Sequence, residues 1–316
     1  MKQPFVSIIL TSYNFERYLE QSISSLLNQT LEAEIELIII DDASKDNSPS
    51  IIKRFESENT NINFIHHPIN KGAAYSINEA FSLATGKYLC RFDGDDIWDL
   101  SFLQKMTDVL EHHQDVALAY CNCSYINNED NITNKDVQTR RKTTQILAYE
   151  FEDLLLDYYI TAPTILFRKS ALDSIFPVPE NYNFLDWYLS LSAGLNHPFY
   201  YLNETLAFYR VHNEGMHVQM IANKKGEQTT FEILTHFHNI NAISKSKLKK
   251  LSTVYYRNFA LSYFGQSLFK DARRCMINYL KLDIRAITDL QIVRLFIGSY
   301  LGKLYPTIKS QLKRGR

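Results

Sequence analysis

The sequence lacks several features that mark whole classes of protein. Its 316 residues contain no run of about 18 uninterrupted apolar residues, which a membrane-spanning helix needs. The apolar stretch near the start is too short for a secretory signal, and no small-residue cleavage site follows it. The four cysteines include no C-x-x-C pair. We therefore expect a cytoplasmic protein whose cysteines are buried free thiols.

Glycine-rich phosphate loops are also missing. A dinucleotide-binding fold needs G-x-G-x-x-G after its first strand and a P-loop needs G-x-x-x-x-G-K-[ST], and neither pattern occurs. The formal net charge of −1 argues against a general nucleic-acid binder. That charge is unevenly spread, because seven Lys or Arg residues and one Asp fall between Arg285 and Arg316. The sequence thus predicts a basic tail on a mildly acidic body.

What is present is an alternation of short apolar runs with segments of helical periodicity. The strand-like runs are "FVSIILTSY", "IELIIIDDAS", "INFIHHP" and "KYLCRFDGDD", and the helical segments between them are "ERYLEQSISSLLNQ", "SPSIIKRFESE" and "AAYSINEAFSLATG". This alternation predicts an α/β fold, with a mostly parallel sheet covered by helices on both faces. The polar stretch 127–145 predicts a mobile loop, and the chain beyond residue 223 is predicted to be helical.

Ligands of a parallel sheet bind at the carboxyl ends of its strands, and one such end is strongly acidic. The stretch "CRFDGDDIWD" carries four carboxylates between apolar residues: Asp93, Asp95, Asp96 and Asp99. A solvated acidic turn is one interpretation. The interpretation we favour is a divalent metal that carries a phosphorylated substrate. Carboxylates about 4 Å apart repel by roughly 4 kcal/mol at an effective dielectric of about 20, so a cation should offset them.

The order of five segments resembles glycosyltransferase family two, the inverting nucleotide-sugar enzymes with the GT-A fold. The segments are "VSIILTSYN", "IIIDDASKDNS", "NKGAAYSINEAFSLATGKYLCRFDGDDIW", "FLDWYLSLSAG" and "FYRVH", and the likeness covers about Phe5 to His212. It implies a GT-A domain over residues 1–222, with a nucleotide-sugar-binding half at 1–126 and an acceptor half with the catalytic base at 146–222. Residues 223–316 would then form a helical C-terminal region.

On this resemblance, three residues at strand ends hold the nucleoside. Thr11 contacts it, the Tyr13 ring stacks on the base, and Asp42 accepts a hydrogen bond from the base edge. Core packing for Tyr13 and helix capping for Asp42 are the structural alternatives. Asn70 and Gly72 fall where the family has its Asn-x-Gly turn near the nucleotide, although an ordinary turn fits the same residues.

The resemblance also makes Asp93, Gly94 and Asp95 a D-x-D motif. It implies that Asp95 binds Mn²⁺ or Mg²⁺ as the cofactor, while Asp93 contacts the ribose or a metal-bound water. His212, in "FYRVH", corresponds to a residue that in many members approaches the metal or the diphosphate. A simply packed histidine is the alternative.

Asp186, in "FLDWYLSL", falls where the family has its catalytic base. Inversion needs a carboxylate that takes the proton of the acceptor hydroxyl while that oxygen attacks the anomeric carbon opposite the leaving diphosphate. Leu185 stands where the family has a Glu, so the base lacks its usual acidic neighbour. A helix N-cap is the alternative role for Asp186.

Together these segments predict a metal-dependent glycosyltransferase. It would move a sugar from a nucleotide diphosphate donor, a UDP-sugar, to a hydroxyl of a surface glycan or a lipid-linked acceptor. A nucleotide-sugar-binding scaffold is the runner-up, and the presence of Asp93, Asp95 and Asp186 together argues against it. A nucleotidyltransferase would need the missing Gly-rich loop. The remaining histidine pairs match no ligand pattern and are predicted at the surface: His66-His67 and His112-His113.

The basic tail indicates where the protein acts. In "IVRLFIGSYLGKLY", one helical face between basic residues can carry Ile292, Leu295, Phe296 and Tyr300. Such a face predicts peripheral contact with the anionic inner surface of the plasma membrane. Packing against the preceding helices is the alternative, because bundle helices show the same periodicity.

Overall fold

A computed structural model of the protein describes residues 3–137, 147–211 and 224–302. The chain separates into two compact units, Met1–Asn213 and Glu214–Arg316. The predicted boundary between residues 222 and 223 falls within 212–223, outside the described residues. Within the described ranges, no helix combines the length and the apolar character that crossing a bilayer requires.

The first unit alternates strands and helices, as the sequence pattern predicts. Its strands are β1 (Val6–Ser12), β2 (Ile35–Asp41), β3 (Ile62–His66), β4 (Tyr88–Asp93), β5 (Ile97–Trp98), β6 (Leu118–Ile126), β7 (Ile132–Asn134), β8 (Leu147–Ala148), β9 (Ile165–Arg168) and β10 (Phe199–Arg210). Its helices are α1 (Leu19–Leu27), α2 (Ser48–Glu58), α3 (Ala73–Leu83), α4 (Phe102–His112), α5 (Phe151–Leu156) and α6 (Leu185–Gly194). The central strands are rich in β-branched and aromatic residues, which pack well on a pleated surface.

All of these strands join one sheet, whose main path runs β3-β2-β1-β4-β9-β6-β10-β5. Strands β3, β2, β1 and β4 pair with one another in parallel, and β10 runs parallel to β6. Strand β9 lies antiparallel between β4 and β6. The sheet is therefore mixed, and its parallel half carries the polar strand ends that the sequence analysis identified.

The core of this unit lies between the sheet and its helices. Helix α1 turns an apolar stripe of Leu19, Ile23 and Leu26 toward the sheet, at the spacing of a helix that is buried on one side. Each such side chain contributes about 1.5–3 kcal/mol when fully buried. All four cysteines are buried free thiols, as predicted.

The register of the parallel strands brings the site together. In the sheet, Ser12 at the end of β1 pairs with Asp41 at the end of β2, while Thr11 pairs with Asp93 at the end of β4. Three loops therefore leave the sheet side by side at one edge. This is the crevice that the parallel-sheet rule predicts.

The predicted mobile loop at 127–145 is described only up to residue 137, and that part is structured. Strand β7 pairs with the end of β6, and the Asn127 side chain accepts the amides of Glu129 and Asn131. The Arg17 guanidinium donates to the Asn128 carbonyl at 3.0 Å. The prediction of a loop is wrong for Ile132–Asn134, which form a strand, whereas the other described residues of this stretch are turns and irregular backbone. Residues 138–146 lie outside the described residues.

The second unit is helical, as predicted. Its helices are α7 (Lys225–Asn239), α8 (Lys245–Gly265), α9 (Phe269–Leu282) and α10 (Leu290–Leu301), with a short 3₁₀ turn at Ile284–Thr288. Their core contains Tyr263, Cys275, Met276 and Ile292. A buried carboxylate adds a polar link, since Glu227 accepts a bidentate pair of bonds from Arg274 at 2.7 Å.

The helix face predicted to meet a membrane packs inside this unit instead. Ile292 is buried, and Leu295 and Phe296 pack against the same core. Only Tyr300 of that set is exposed. Membrane contact through this stripe is therefore ruled out, because the preceding helices cover it. Peripheral contact with a membrane as such stays a prediction. The exposed side of α10 carries other residues: Leu290, Arg294 and Ile297.

Candidate active site at the carboxyl edge of the sheet

The donor side of the site begins where β1 and β4 end together. The Thr11 hydroxyl donates to Asp93 Oδ1 at 3.2 Å, and the backbone amide of Gly94 donates to the Thr11 carbonyl at 3.3 Å. A Cβ on Gly94 would lie 3.0 Å from a methyl carbon of Leu19, so only glycine fits without displacing that side chain. Thr11, Asp93 and Gly94 are therefore brought together, as predicted.

Tyr13 lies just beyond β1 and is 46% exposed. Core packing, the structural alternative for this ring, is therefore wrong. The loop that carries Tyr13 is fastened to the loop after β2. The Asn14 amide donates to the Ser44 hydroxyl at 2.8 Å, and the Lys45 amide donates to the Asn14 side chain at 2.8 Å. Tyr13 thus stands at the crevice with its ring available for stacking on a planar ligand.

Asp42 organises the turn that leads into α3. Its carboxylate accepts the backbone amides of Lys71 and Gly72, both at 2.8 Å, and the Asn70 side chain donates to the Asp42 carbonyl at 3.0 Å. Gly72 has φ +91°, a conformation that favours glycine. Asp42, Asn70 and Gly72 therefore meet in space. The predicted alternative, an ordinary turn, describes the backbone correctly but omits its anchor on Asp42.

A buried histidine, His67, also contacts the Asp42 carboxylate. Asp42 Oδ1 lies 2.8 Å from His67 Nδ1, and the other ring nitrogen of His67 lies 2.6 Å from Glu79 Oε2. The surface position predicted for His67 is therefore wrong, because only 2% of the residue is exposed. A carboxylate accepts about four hydrogen bonds, and the described part of the chain supplies three of them to Asp42. One acceptor position remains for a ligand.

The four carboxylates of "CRFDGDDIWD" have separate roles. The Asp99 side chain accepts the amide and hydroxyl of Ser101, the N-cap residue of α4, so it fixes the turn before that helix. Asp96 is buried, and its Oδ1 accepts the Arg210 amide at 2.8 Å. Burial, together with the charges of Asp95 and Asp93, raises the pKa of Asp96 well above its ordinary value. Asp93 and Asp95, the two acidic residues of the D-x-D motif, are the candidate ligands.

Asp186 approaches the same edge from α6. Helix α6 begins at Leu185 with Phe184 as the N-cap residue, so the capping role considered for Asp186 is wrong. Its Oδ2 accepts a hydrogen bond from Arg91 Nη1 at 2.8 Å. Burial raises the pKa of Asp186, although the Arg91 charge opposes the rise. The side chain is 19% exposed and therefore remains accessible to a small group.

Two arginines at the site were missed by the sequence analysis. Arg91 precedes Asp93 by two residues on β4, and its guanidinium also donates to Asp93 Oδ1 at 2.6 Å. That spacing was a usable signal, since residues two apart on a strand point to the same face. Arg210, at the end of β10, donates to the Asp95 carbonyl at 2.8 Å. His212 follows two residues later and lies outside the described residues.

Asp93 and Asp95 suit a divalent cation that is bound jointly by protein carboxylates and by the substrate. The described residues contain no group of three or more His, Cys, Asp or Glu side chains that could hold a metal alone. Mg²⁺, however, is usually bound by one or two carboxylates together with substrate phosphates. Both hydrogen bonds to the Asp93 side chain fall on Oδ1, so Oδ2 accepts none from the described part of the chain.

The chain is similar in sequence to known glycosyltransferases. Residues 7–176, more than half of the chain, match the model of Glycosyl transferase family 2. A glycosyltransferase of Bacillus subtilis, TuaG, whose name assigns it to teichuronic acid biosynthesis, is 27% identical over 216 residues, which cover 68% of this chain and 82% of that protein.

Two solved structures share the fold. S. aureus TarS (residues 1–349) in complex with UDP-GlcNAc aligns with a TM-score of 0.62 and 19% identity, over 95% of this chain and 85% of that one. The mannosyltransferase PcManGT of Pyrobaculum calidifontis, with GDP-Man and Mn²⁺, aligns with a TM-score of 0.61 and 15% identity, over 98% of this chain and 84% of that one. The predicted GT-A fold with C-terminal helices is confirmed.

Proposed function

Because the chain belongs to glycosyl transferase family 2, we propose that it transfers a sugar from a UDP-linked donor to a hydroxyl acceptor, with inversion at the anomeric carbon. The observation that carries this proposal is the meeting of Asp93, at the end of β4, and Asp186, at the start of α6, on one guanidinium. A donor residue and a candidate base are thereby held beside each other at the ligand edge of the sheet.

The donor would occupy the edge formed by β1, β2 and β4. Tyr13 stacks on the base, Asp42 accepts a base N–H with its remaining lone pair, and Thr11 and Asp93 lie at the sugar and ribose side. Uracil suits Asp42 because its imide N–H is a donor at the base edge. The structure of TarS with UDP-GlcNAc, a relative in fold, is consistent with this choice of nucleotide.

Asp186 would act as the general base. Its carboxylate takes the proton of the acceptor hydroxyl while that oxygen forms a bond to the anomeric carbon. The bond from that carbon to the diphosphate oxygen breaks on the opposite face, and the diphosphate leaves with the electron pair. Such a base typically contributes about 10²–10⁴ in rate. Helix α6 contains no other acidic residue, so Asp186 would work without a second carboxylate from its own helix.

Asp95 and Asp93 Oδ2 would hold a Mn²⁺ or Mg²⁺ ion. The metal supplies neutralisation of the charge on the leaving diphosphate. The Mn²⁺ and GDP-Man in the PcManGT structure support this part of the proposal. His212 remains a predicted contact of the metal or the diphosphate.

We assign the acceptor to a cell-surface polysaccharide, which the name of TuaG supports. Lipid-linked acceptors lie at a membrane, and the second unit has an exposed surface that could contact that membrane. On α10, Leu290, Arg294 and Ile297 lie on one exposed face at positions i, i+4 and i+7. Ile284 and Ile287 on the preceding turn are also exposed. Exposed apolar residues that precede a basic stretch of sequence suit an anionic bilayer.

A panel of nucleotide sugars tests the proposal. Thermal unfolding is followed with UDP-GlcNAc, UDP-glucose, UDP-galactose and GDP-mannose, each with and without Mn²⁺. A ligand at 100 times its dissociation constant adds about 2.7 kcal/mol of stability. We expect one UDP-sugar to stabilise the protein more than the others do, and only in the presence of Mn²⁺. We also expect the protein to release UDP slowly from that donor. A panel without any stabilising donor would contradict the assignment.

A further inference from the structure

A single buried guanidinium joins the two halves of the candidate site. Arg91 Nη1 donates to Asp186 Oδ2 at 2.8 Å, and Nη2 donates to Asp93 Oδ1 at 2.6 Å. Only 7% of Arg91 is exposed. Arg91 and Asp93 share β4, whereas Asp186 comes from α6, 95 residues further along the chain than Arg91. Two nitrogens of one planar group thus fix the relative position of two carboxylates from different elements.

The charges around Asp186 depend on this cation. Burial raises the pKa of Asp186, the charge of Arg91 opposes that rise, and the charge of Asp93 adds to it. Tyr158 is a second titratable group that interacts with this carboxylate: burial, and then the Asp186 charge, raise the pKa of its hydroxyl. Beyond Asp93 lie Asp95 and Asp96, and Arg210 donates to the Asp95 carbonyl and the Asp96 carboxylate. Of the described groups that act on Asp186, Arg91 alone is positively charged.

We propose that Arg91 is a positioning residue that orients Asp186, keeps it ionised, and couples it to the donor side of the site through Asp93. The inference rests on the proposed function, in which Asp186 is the base. Arg91 contacts neither reacting atom and acts only through its two carboxylate partners. When the donor binds near Asp93, its charge changes how strongly Arg91 interacts with Asp93 and with Asp186. Donor binding is thereby linked to the basicity of Asp186.

Lysine could not replace this arginine. A guanidinium presents several N–H donors in a fixed plane, so one side chain satisfies two carboxylates at set angles. An ammonium group is a point charge on a flexible stem and would preserve the charge without the geometry. The two contributions of Arg91, charge and orientation, can therefore be separated by substitution.

The test compares the full-length wild type with Arg91→Gln and Arg91→Lys, and with Arg54→Gln as a control at an exposed ion pair of α2. Each protein receives the donor selected by the nucleotide-sugar panel, and UDP release is followed from about pH 5 to pH 9. Arg91→Gln should move the acid limb of kcat up by about one pH unit or more, since a buried carboxylate without its cation holds its proton more tightly. Arg91→Lys should leave the limb in place and lower kcat about tenfold at every pH.

Melting curves show whether each variant folds. A folded Arg91→Gln protein whose acid limb coincides with that of the wild type would overturn the inference. If that variant does not fold, Arg91→Lys decides. A wild-type kcat, or a displaced limb, contradicts the inference, and a uniform loss with an unmoved limb supports it. If the wild type releases no UDP from any donor, the proposed function itself is wrong. If the wild type is active and the Arg91 variants behave like it, only the inference about Arg91 is wrong.

Discussion

Nδ1 of His67 lies 2.8 Å from Oδ1 of Asp42, and this bond joins the β3–α3 connection to the end of β2. The imidazole spans two carboxylates, because its Nε2 lies 2.6 Å from Glu79. His67 thereby holds the Asp42 carboxylate in place, and this carboxylate is proposed to bind the base.

His67→Ala should destabilise the protein and weaken nucleotide binding. The change leaves Asp42 without its buried partner, which costs about 2–4 kcal/mol. Urea unfolding measures the loss, and calorimetry with UDP measures the change in affinity. His66→Ala is the matched control, because the His66 side chain is 46% exposed in its pair with Asp41. We expect the control to cost less than about 1 kcal/mol, and equal losses for both variants would contradict the role of His67.

Asp186→Asn should bind UDP like the wild type but transfer sugar about 10²–10⁴ times more slowly, because an amide cannot accept the acceptor's proton. Turnover assays with the identified donor and acceptor measure the rate, and calorimetry measures UDP affinity. Asp173→Asn, at an exposed ion pair with Lys169, is the control. Turnover at the wild-type rate would place the base elsewhere.

Asp95→Asn should weaken UDP binding about tenfold or more in Mn²⁺, because one anionic ligand of the proposed cation is lost. In EDTA the variant and the wild type should bind UDP equally weakly. Calorimetric titrations in the two buffers provide the comparison. Asp108→Asn, an exposed residue of α4, controls for the loss of one negative charge. Equal wild-type affinity in Mn²⁺ and in EDTA would refute the metal site.

The exposed face of α10 predicts binding to anionic vesicles. The wild type should co-sediment with phosphatidylserine-containing vesicles at low salt, and the double variant Leu290→Ser/Ile297→Ser should bind at least about tenfold less. Leu100→Ser, at an exposed leucine of the first unit, is the control. A wild type that ignores these vesicles has no such membrane contact.

The second unit should lose stability in acid through Glu227. Burial alone would raise the pKa of Glu227, but the hydrogen bonds and charge of Arg274, with the Tyr263 hydroxyl, hold that pKa below its ordinary value of 4.5. A carboxyl with a lowered pKa stabilises the fold above its ordinary pKa and loses that contribution as the pH falls through the lowered value.

Glu227→Gln should therefore lower the melting temperature at pH 7, and the difference from the wild type should shrink as the pH falls below about 4. Thermal unfolding of the full chain across this range measures both effects. Glu232→Gln, which changes a glutamate of the same helix that accepts a bond from a neutral partner, Gln228, is the control. A difference that stays constant with pH would show that the Glu227 charge is not involved.

The sequence alone determined the alternation of strands and helices, the polar strand ends and the order of the family segments. These properties are local, since a strand or helix reports itself in the spacing of its own apolar residues. Thr11, Asp93 and Gly94 meet as predicted because parallel strands end at a common edge. The buried cysteines follow from the same apolar runs.

The tertiary structure decided which partner each polar or apolar face found. Nothing near Arg91 in the sequence indicates Asp186, because their ion pair requires α6 to return to the end of β4. His67 reads as a surface residue until α3 brings Glu79 to it. The stripe around Ile292 has the periodicity of both a bundle helix and a membrane-surface helix, and only its packing against α8 and α9 separates the two. Periodicity shows that a face is apolar, whereas long-range topology determines what covers it.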